Sequence, residues 1–398
     1  MRVLVATTAG AGHFAPLVPF AAACVAAGHE VRVAAPESFR DTVERAGLEL
    51  SPVADAPPEA LGAVMGRVPA LTMREANEVV VREVFGRVDA ESALPAMRAI
   101  FEAWRPDVVL REPGELSSFV VATRLGIPSV EVNPGLDRFV DDFVSLLDEP
   151  LRALGCESGS AGLRDATRWT LLPRSFDVDA TVTAGEPRRF RYAAPEQHAS
   201  EPLPAWWANH DDPLVYVTFG SVAAAIGLFP VFYASVLEAL REVPARVLMT
   251  LGEAGDPAAL GALPGNVHVE QWWPQDRVMP HAGAILGHGG FGTTMTALAA
   301  GLPQVVVPLF AGDQFENASR VDAVGAGVAL QVDGVADRRA GDMVPAGPAV
   351  LDRLPEAVLA ALRDERIRRS ARAVADEIAA LPDPASGVPL LEELVATR

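Results

Sequence analysis

The segment His288-Gly289-Gly290-Phe291-Gly292-Thr293-Thr294 puts a titratable donor, three glycines and two hydroxyls into a single stretch. Ala284 to Gly287, a short apolar run that reads as a buried strand, precedes it, and Met295 to Ala300 reads as a helix. The glycines let a ligand approach the backbone closely, and Thr293 or Thr294 can cap the helix. Free amides and the positive dipole end of that helix make an anion site, with His288 as an added donor. The chemistry that fits is the holding of a diphosphate; an ordinary strand-to-helix turn explains the glycines alone. Gln271-Trp272-Trp273-Pro274-Gln275 follows another strand-like run, so one of its rings can stack on a nucleobase, worth ~1–3 kcal/mol in comparable settings. Packing between helix and sheet is the plainer reading of the same rings. Asp313-Gln314 offers an acid and an amide suited to the hydroxyls of a sugar, or an N-cap for a helix over Phe315 to Gly325.

Loops of this kind need strands to carry them, and the sequence supplies them in a repeated order. Val3 to Thr7 is a β-branched run, Ala9 to Phe14 a glycine-bearing loop, Pro16 to Ala27 a helix stopped by Gly28, and His29 to Ala35 a second strand. Such βαβ units close right-handed into a parallel sheet. Strands are expected again at Asp107 to Leu110 and Pro128 to Val132, with a helix over Leu116 to Leu125 between them. Proline-rich residues 201–213, with Trp206 and Trp207, read as a linker. The rhythm restarts with strands at Leu214 to Phe219, Ala245 to Leu251, Val267 to Glu270, Ala284 to Gly287 and Gln304 to Pro308. Helices are expected from Pro355, then a bend over Pro382 to Pro389 and a closing helix. The expected fold is α/β, with two Rossmann-like doubly wound domains facing across a cleft. The boundaries are 1–200, the linker 201–213, 214–378, and a C-terminal helix in 379–398 that crosses back to the first domain. Ligands of such sheets sit at the carboxyl ends of the strands.

Composition narrows the chemistry. The chain has 398 residues, 50% hydrophobic and 21% charged, with 33 basic against 52 acidic residues and a net charge of −19. That field repels phosphate backbones and anionic membrane surfaces, which argues against nucleic-acid and membrane partners. Every basic residue apart from histidine is arginine. The lack of lysine excludes Schiff-base and pyridoxal enzymes, P-loop NTPases and kinases, so an anionic ligand must be held by Arg, His, hydroxyls or amides. Cys24 and Cys156 stand far apart, without metal-ligand spacing, and read as small buried hydrophobes. No uninterrupted apolar run is long enough to span a bilayer, and the chain reads as soluble and cytoplasmic.

Taken in order, Thr218-Phe-Gly-Ser221, Trp272-Trp-Pro-Gln275, His288-Gly-Gly-Phe-Gly-Thr-Thr294, Ala299-Ala-Gly-Leu-Pro303 and Asp313-Gln314 with Asn317 resemble the donor domain of GT-B-fold, nucleotide-sugar-dependent glycosyltransferases. The resemblance is to the bacterial branch that decorates macrolide, enediyne and aromatic polyketide antibiotics. Gly10-Ala-Gly-His13 and Pro16-Leu-Val-Pro19 extend it to the first half, while residues 55–100 and 133–190 match weakly. The resemblance implies an inverting transfer that needs no metal or other cofactor. The co-substrate would be a nucleotide sugar, and the acceptor a hydroxyl of a hydrophobic aglycon. It implies that Trp272, with Gln275 beside it, meets the base and that Ser221, His288, Gly290, Gly292, Thr293 and Thr294 hold the diphosphate. Asp313 and Gln314 would read the sugar. UDP-sugar relatives often carry a glutamate eight positions after the motif histidine, where this chain has Thr296. That departure favours a dTDP-sugar.

By the same resemblance His13 is the general base, a role for which an imidazole of pKa ~6.5 is suited at neutral pH. Many relatives orient that histidine with an aspartate, whereas this chain reads Arg111-Glu112-Pro113-Gly114-Glu115. Glu112 takes the orienting role or pairs with Arg111; alternatively Asp313 supports His13 across the cleft. Phe85, Phe139, Phe143 and Phe176 suggest an apolar acceptor wall, though core packing explains any one of them. Two other classes remain open. Gly10-x-Gly12-x-x-Ala15 with Glu37 fits the fingerprint of a nicotinamide or flavin oxidoreductase. The missing aspartate fits a non-catalytic homologue acting as a partner protein. The oligomeric state is left as monomer or homodimer.

Overall fold

Short apolar runs rich in Val, Leu and Ala become central strands because both faces of each are covered. A computed structural model of the chain describes residues 1–136, 140–177, 186–192, 212–331, 334, 337–342 and 347–397. The first sheet holds β1 (Arg2–Ala6), β2 (Glu30–Pro36), β3 (Glu49–Val53), β4 (Val108–Arg111), β5 (Ser129–Asn133), β6 (Thr167–Thr170) and β7 (Arg188–Arg189). Their order is β3-β2-β1-β4-β5-β6-β7, all parallel. The second holds β8 (Leu214–Thr218), β9 (Arg246–Thr250), β10 (Val267–Glu270), β11 (Ala282–Gly287), β12 (Gln304–Val306) and β13 (Gly327–Ala329). Its order is β10-β9-β8-β11-β12-β13, again all parallel.

Each sheet reverses its winding once. In the first the chain runs outward from β1 to β3, then returns to place β4 on the other side of β1; β8 and β11 stand in the same relation in the second. At such a switch point the loops leaving the two strands diverge and open a crevice at their carboxyl ends. His13 follows β1 and Glu112 follows β4, while Ser221 follows β8 and His288 follows β11.

The chain divides into two compact units, Met1–Arg191 with Arg339–Gly341 and Leu381–Arg398, and Tyr192–Arg338 with Asp342–Ala380. The segment from Leu381 is tied to the first unit by Arg191, whose N–H donates to the Pro382 carbonyl at 2.7 Å, and by a 3.1 Å ion pair of His29 with Glu392. Gly387 passes under Trp169 with no room for a Cβ, which would lie 2.8 Å from the ring. The linker reading of 201–213, with Trp206 and Trp207, falls outside the described residues up to position 211. Leu4, Met97, Val109, Phe119 and Leu147 centre one core, and Val217, Phe219, Tyr233, Met249 and Leu286 the other. Each such side chain contributes ~1.5–3 kcal/mol on burial. Cys24 and Cys156 are buried and free. No helix among the described residues is long and apolar enough to cross a membrane.

Two local differences from the sequence reading touch the site. The stretch after β1 forms two helices, Ala11–Phe14 and Val18–Ala26, because Pro19 starts a fresh first turn. Val80–Asp89 is a ten-residue π-helix leading into the helix Ala90–Trp104.

Candidate functional site

In the first unit, Gly10 leads into the single turn that carries His13. A Cβ at Gly10 would lie 2.8 Å from the imidazole, so glycine lets the ring fold back over its own loop. His13 Nδ1 lies 2.8 Å from Glu112 Oε2. Parallel pairing of β1 with β4, which sets Ala6 beside Arg111, brings these residues together from 99 positions apart. Glu112 has no exposed surface. Its Oε2 also accepts the Gly114 N–H at 2.6 Å, and its Oε1 accepts the N–H and hydroxyl of Thr8, both at 3.0 Å. Burial pushes the Glu112 carboxyl up, but His13 and the backbone donors outweigh it and hold the group below its ordinary value. A carboxylate with every acceptor position used favours the proton on Nδ1, which makes Nε2 the accepting nitrogen of the ring.

Arg111 is not the partner of the Glu112 carboxylate. It is fully buried, pairs with Glu131, lies over the Phe119 ring at 5.1 Å, and meets Glu112 only at its main-chain oxygen, 3.2 Å away. The Glu112 carboxylate is thus turned to His13 and not to Arg111. Glu37, offered as a ribose acid, is exposed and bonded to Arg40 at 2.7 and 2.9 Å. Phe85 sets its ring edge against His13 with centroids 5.5 Å apart. Phe143 packs on the core beside Val144 and Leu147, and Phe176 is fully buried, which removes it from any acceptor wall. Phe139 lies outside the described residues.

Glu112→Ala would leave the Thr8 and Gly114 amides buried without acceptors, at ~1–3 kcal/mol each. The first unit is then expected to melt several degrees lower by calorimetry at pH 7. Because the folded carboxyl titrates below its ordinary value of 4.5, this stabilisation is present above that pH and fades as pH falls through the folded value. The gap between wild type and variant should close in acid.

In the second unit, β11 ends at Gly287 and the loop turns at Gly289, where φ is +87° and a Cβ would lie 2.6 Å from the Gln314 carbonyl. Asn317 donates to the Gly289 carbonyl at 2.8 Å and fixes the turn from behind. The helix Phe291–Ala299 follows with Gly290 at its N-cap and no side chain on its first amides. Neither Thr293 nor Thr294 caps it, contrary to the expectation, because the helix starts at Phe291 and both threonines already lie within it. Thr294 is buried, and Thr293 accepts from Gln275 Nε2 at 3.3 Å. The uncapped amides are donors of the kind that can meet an anion.

His288 is held between Gly220 and Gly290, where added Cβ atoms would lie 2.9 Å from its Cε1 and 2.4 Å from its Nε2. Only 8% of it is exposed, and burial depresses its pKa to about 4, so the ring is neutral at pH 7. Ser221 is exposed on the loop after β8. Trp272 is 57% exposed, whereas Trp273 packs inward over the Arg277 guanidinium at 5.3 Å. Asp313 is exposed in the first turn of the helix Gly312–Ala323. Gln314 is buried, and its side-chain oxygen accepts the Leu309 and Phe310 amides at 2.9 and 3.1 Å, so that oxygen holds the loop. Thr296 donates to the Gly292 carbonyl at 2.8 Å and lies 3.0 Å from the Tyr192 hydroxyl. Sequence reasoning gave no role to Asn317, Tyr192 or Gly220; glycine before the Ser221 motif position was the available signal for the last.

Family models for the N-terminal and C-terminal domains of erythromycin biosynthesis protein CIII-like proteins match residues 22–230 and 234–394. The chain is 34% identical to elloramycin glycosyltransferase ElmGT of Streptomyces olivaceus over 408 residues, 97% of this chain and 95% of that protein. The crystal structure of the glycosyltransferase SsfS6 of Streptomyces sp. SF2575, complexed with thymidine diphosphate, is similar with a TM-score of 0.75 at 28% identity, covering 99% of both chains. The spinosyn rhamnosyltransferase SpnG complexed with spinosyn aglycone is similar with a TM-score of 0.77 at 26% identity, covering 98% of this chain and 100% of that one. With both halves matched and both sheets shared, the chain belongs to the erythromycin biosynthesis protein CIII-like family and is a glycosyltransferase of the GT-B fold.

Proposed function

We propose that this glycosyltransferase moves a deoxysugar from a dTDP-sugar to a hydroxyl of a hydrophobic natural-product aglycon, with inversion and without a metal. The first unit, residues 1–200 in its main part, binds the acceptor, and residues 214–378 bind the donor. The observation that carries this reading is the His13–Glu112 hydrogen bond, which leaves Nε2 as the accepting nitrogen. The acceptor O–H gives its proton to Nε2 as the oxygen attacks the anomeric carbon. The bond to the diphosphate breaks on the opposite face, which inverts that centre. Charge growing on the leaving diphosphate meets the uncapped amides of the helix Phe291–Ala299 and the N–H of His288.

The exposed Trp272 ring is the stacking face for the base, and exposed Asp313 meets sugar hydroxyls. At Thr296 no carboxylate is available to grip a pair of ribose hydroxyls; its own hydroxyl is turned to Gly292 and Tyr192. That supports a 2′-deoxyribose, as does the thymidine diphosphate bound by SsfS6. Phe85 beside His13 supports an apolar acceptor.

Tryptophan fluorescence tests the donor class. Thymidine diphosphate is expected to quench and to bind more tightly than uridine diphosphate, with no response to NADPH. Trp272→Ala should weaken thymidine diphosphate binding by about 5- to 150-fold, the equivalent of losing ~1–3 kcal/mol of base stacking. Tight NADPH binding, or full affinity in Trp272→Ala, would count decisively against the reading.

A further inference from the structure

Asp89 closes the π-helical segment Val80–Asp89, four residues after Phe85. Phe85 touches His13, and its ring lies 3.4 Å from where a Cβ on Gly114 would stand, against the turn whose amide feeds Glu112. Residues four apart lie on one side of a helix, so Asp89 stands one turn further along the side that meets the His13–Glu112 pair. It is half-buried, and no described residue donates a hydrogen bond to its carboxylate. The titratable groups acting on it are Glu112 and Glu115 from the loop after β4, and His13 from the loop after β1. Burial, then repulsion from Glu112, push its pKa up to about 6 against the opposing pull of His13. Two of these neighbours are carboxyls that repel its charge, and only His13 attracts it. Asp89 gains when His13 becomes charged.

We propose that Asp89 is a positioning residue for His13, its carboxylate steadying the imidazolium that forms when Nε2 takes the acceptor proton. The inference rests on the reading of His13 as the base. At pH 7 and above Asp89 is ionised, so the imidazolium is attracted by Glu112, through its Nδ1 hydrogen bond, and by Asp89, through space. After transfer the proton passes from Nε2 to water, and Asp89 ends as it began.

NMR titration of the His13 ring in the full chain tests this directly, with His13→Gln to assign the resonance. In Asp89→Asn the His13 midpoint should move to lower pH, and Asp89→Glu should restore it. The asparagine removes a charge that burial disfavours, so this variant folds at least as stably above pH 6. Turnover of a dTDP-sugar with an aromatic polyketide acceptor should fall about two- to fivefold in Asp89→Asn, with the donor KM unchanged. The same midpoint in all three proteins would overturn the proposal and leave the base role of His13 intact. Full turnover in His13→Ala would instead remove the base role beneath it.

Discussion

His13→Ala is expected to lower turnover by about 10²- to 10⁴-fold, the usual contribution of a positioned general base, while leaving affinity for thymidine diphosphate unchanged. The separation is expected because His13 belongs to the first unit and the proposed donor residues to the second. Glu112→Gln should reproduce part of the loss. The substituted amide has one oxygen and one NH2, so the Gly114 N–H and His13 Nδ1, which share Oε2, and the Thr8 donors, which share Oε1, cannot all keep an acceptor. A flipped His13 tautomer would put the proton on Nε2, where the mechanism needs a lone pair. Calorimetric titration with thymidine diphosphate alongside turnover assays distinguishes the cases. An alanine variant that kept wild-type turnover would end the general-base mechanism; equal losses in affinity and turnover would point to collapse of the fold.

How much of this was legible in the sequence depends on whether a residue acts through its neighbours in the chain or through distant ones. The loop at His288 was legible because its strand, glycines and helix are contiguous, and local chemistry alone suggests an anion site. His13 was not legible in that way; only the resemblance gave it a role. Glu112 stayed ambiguous between His13 and Arg111 until the order of the strands set β4 beside β1. Gln314 looked like a sugar ligand because an amide at a strand end has free capacity on paper, yet its oxygen is turned back to the Leu309 and Phe310 amides. Thr293 and Thr294 looked like caps because helix starts are uncertain by a residue or two. Pro52 in β3 and Arg168 in β6 hid those strands, since neither residue belongs to an apolar alternation. The π-helix at Val80–Asp89 left no signal, because its turn has no distinct periodicity in apolar residues, and Asp89 was invisible with it.

His288→Asn should reduce affinity for thymidine diphosphate by about 10- to 150-fold, as expected for a hydrogen bond to a charged group worth ~1.5–3 kcal/mol. The ring is neutral at pH 7. With Nδ1 buried and unpartnered among the described residues and Nε2 set against Gly290, no described residue favours a second proton. The site is therefore built to donate one N–H from a neutral ring, and the formal charge comes from the ligand. The same burial makes the residue a liability in acid. Its pKa falls from 6.5 in the unfolded chain to about 4 in the fold, so the unfolded state binds the proton first. Stability from this source is fully present above 6.5 and is lost as pH drops toward 4, by about 3 kcal/mol in all. Urea midpoints at pH 7.5 and 4.5 should therefore lie closer together in His288→Asn than in wild type, other acidic groups affecting both proteins alike. A variant with the same acid sensitivity as wild type and undiminished nucleotide affinity would show that His288 is neither buried as a neutral donor nor part of the donor site.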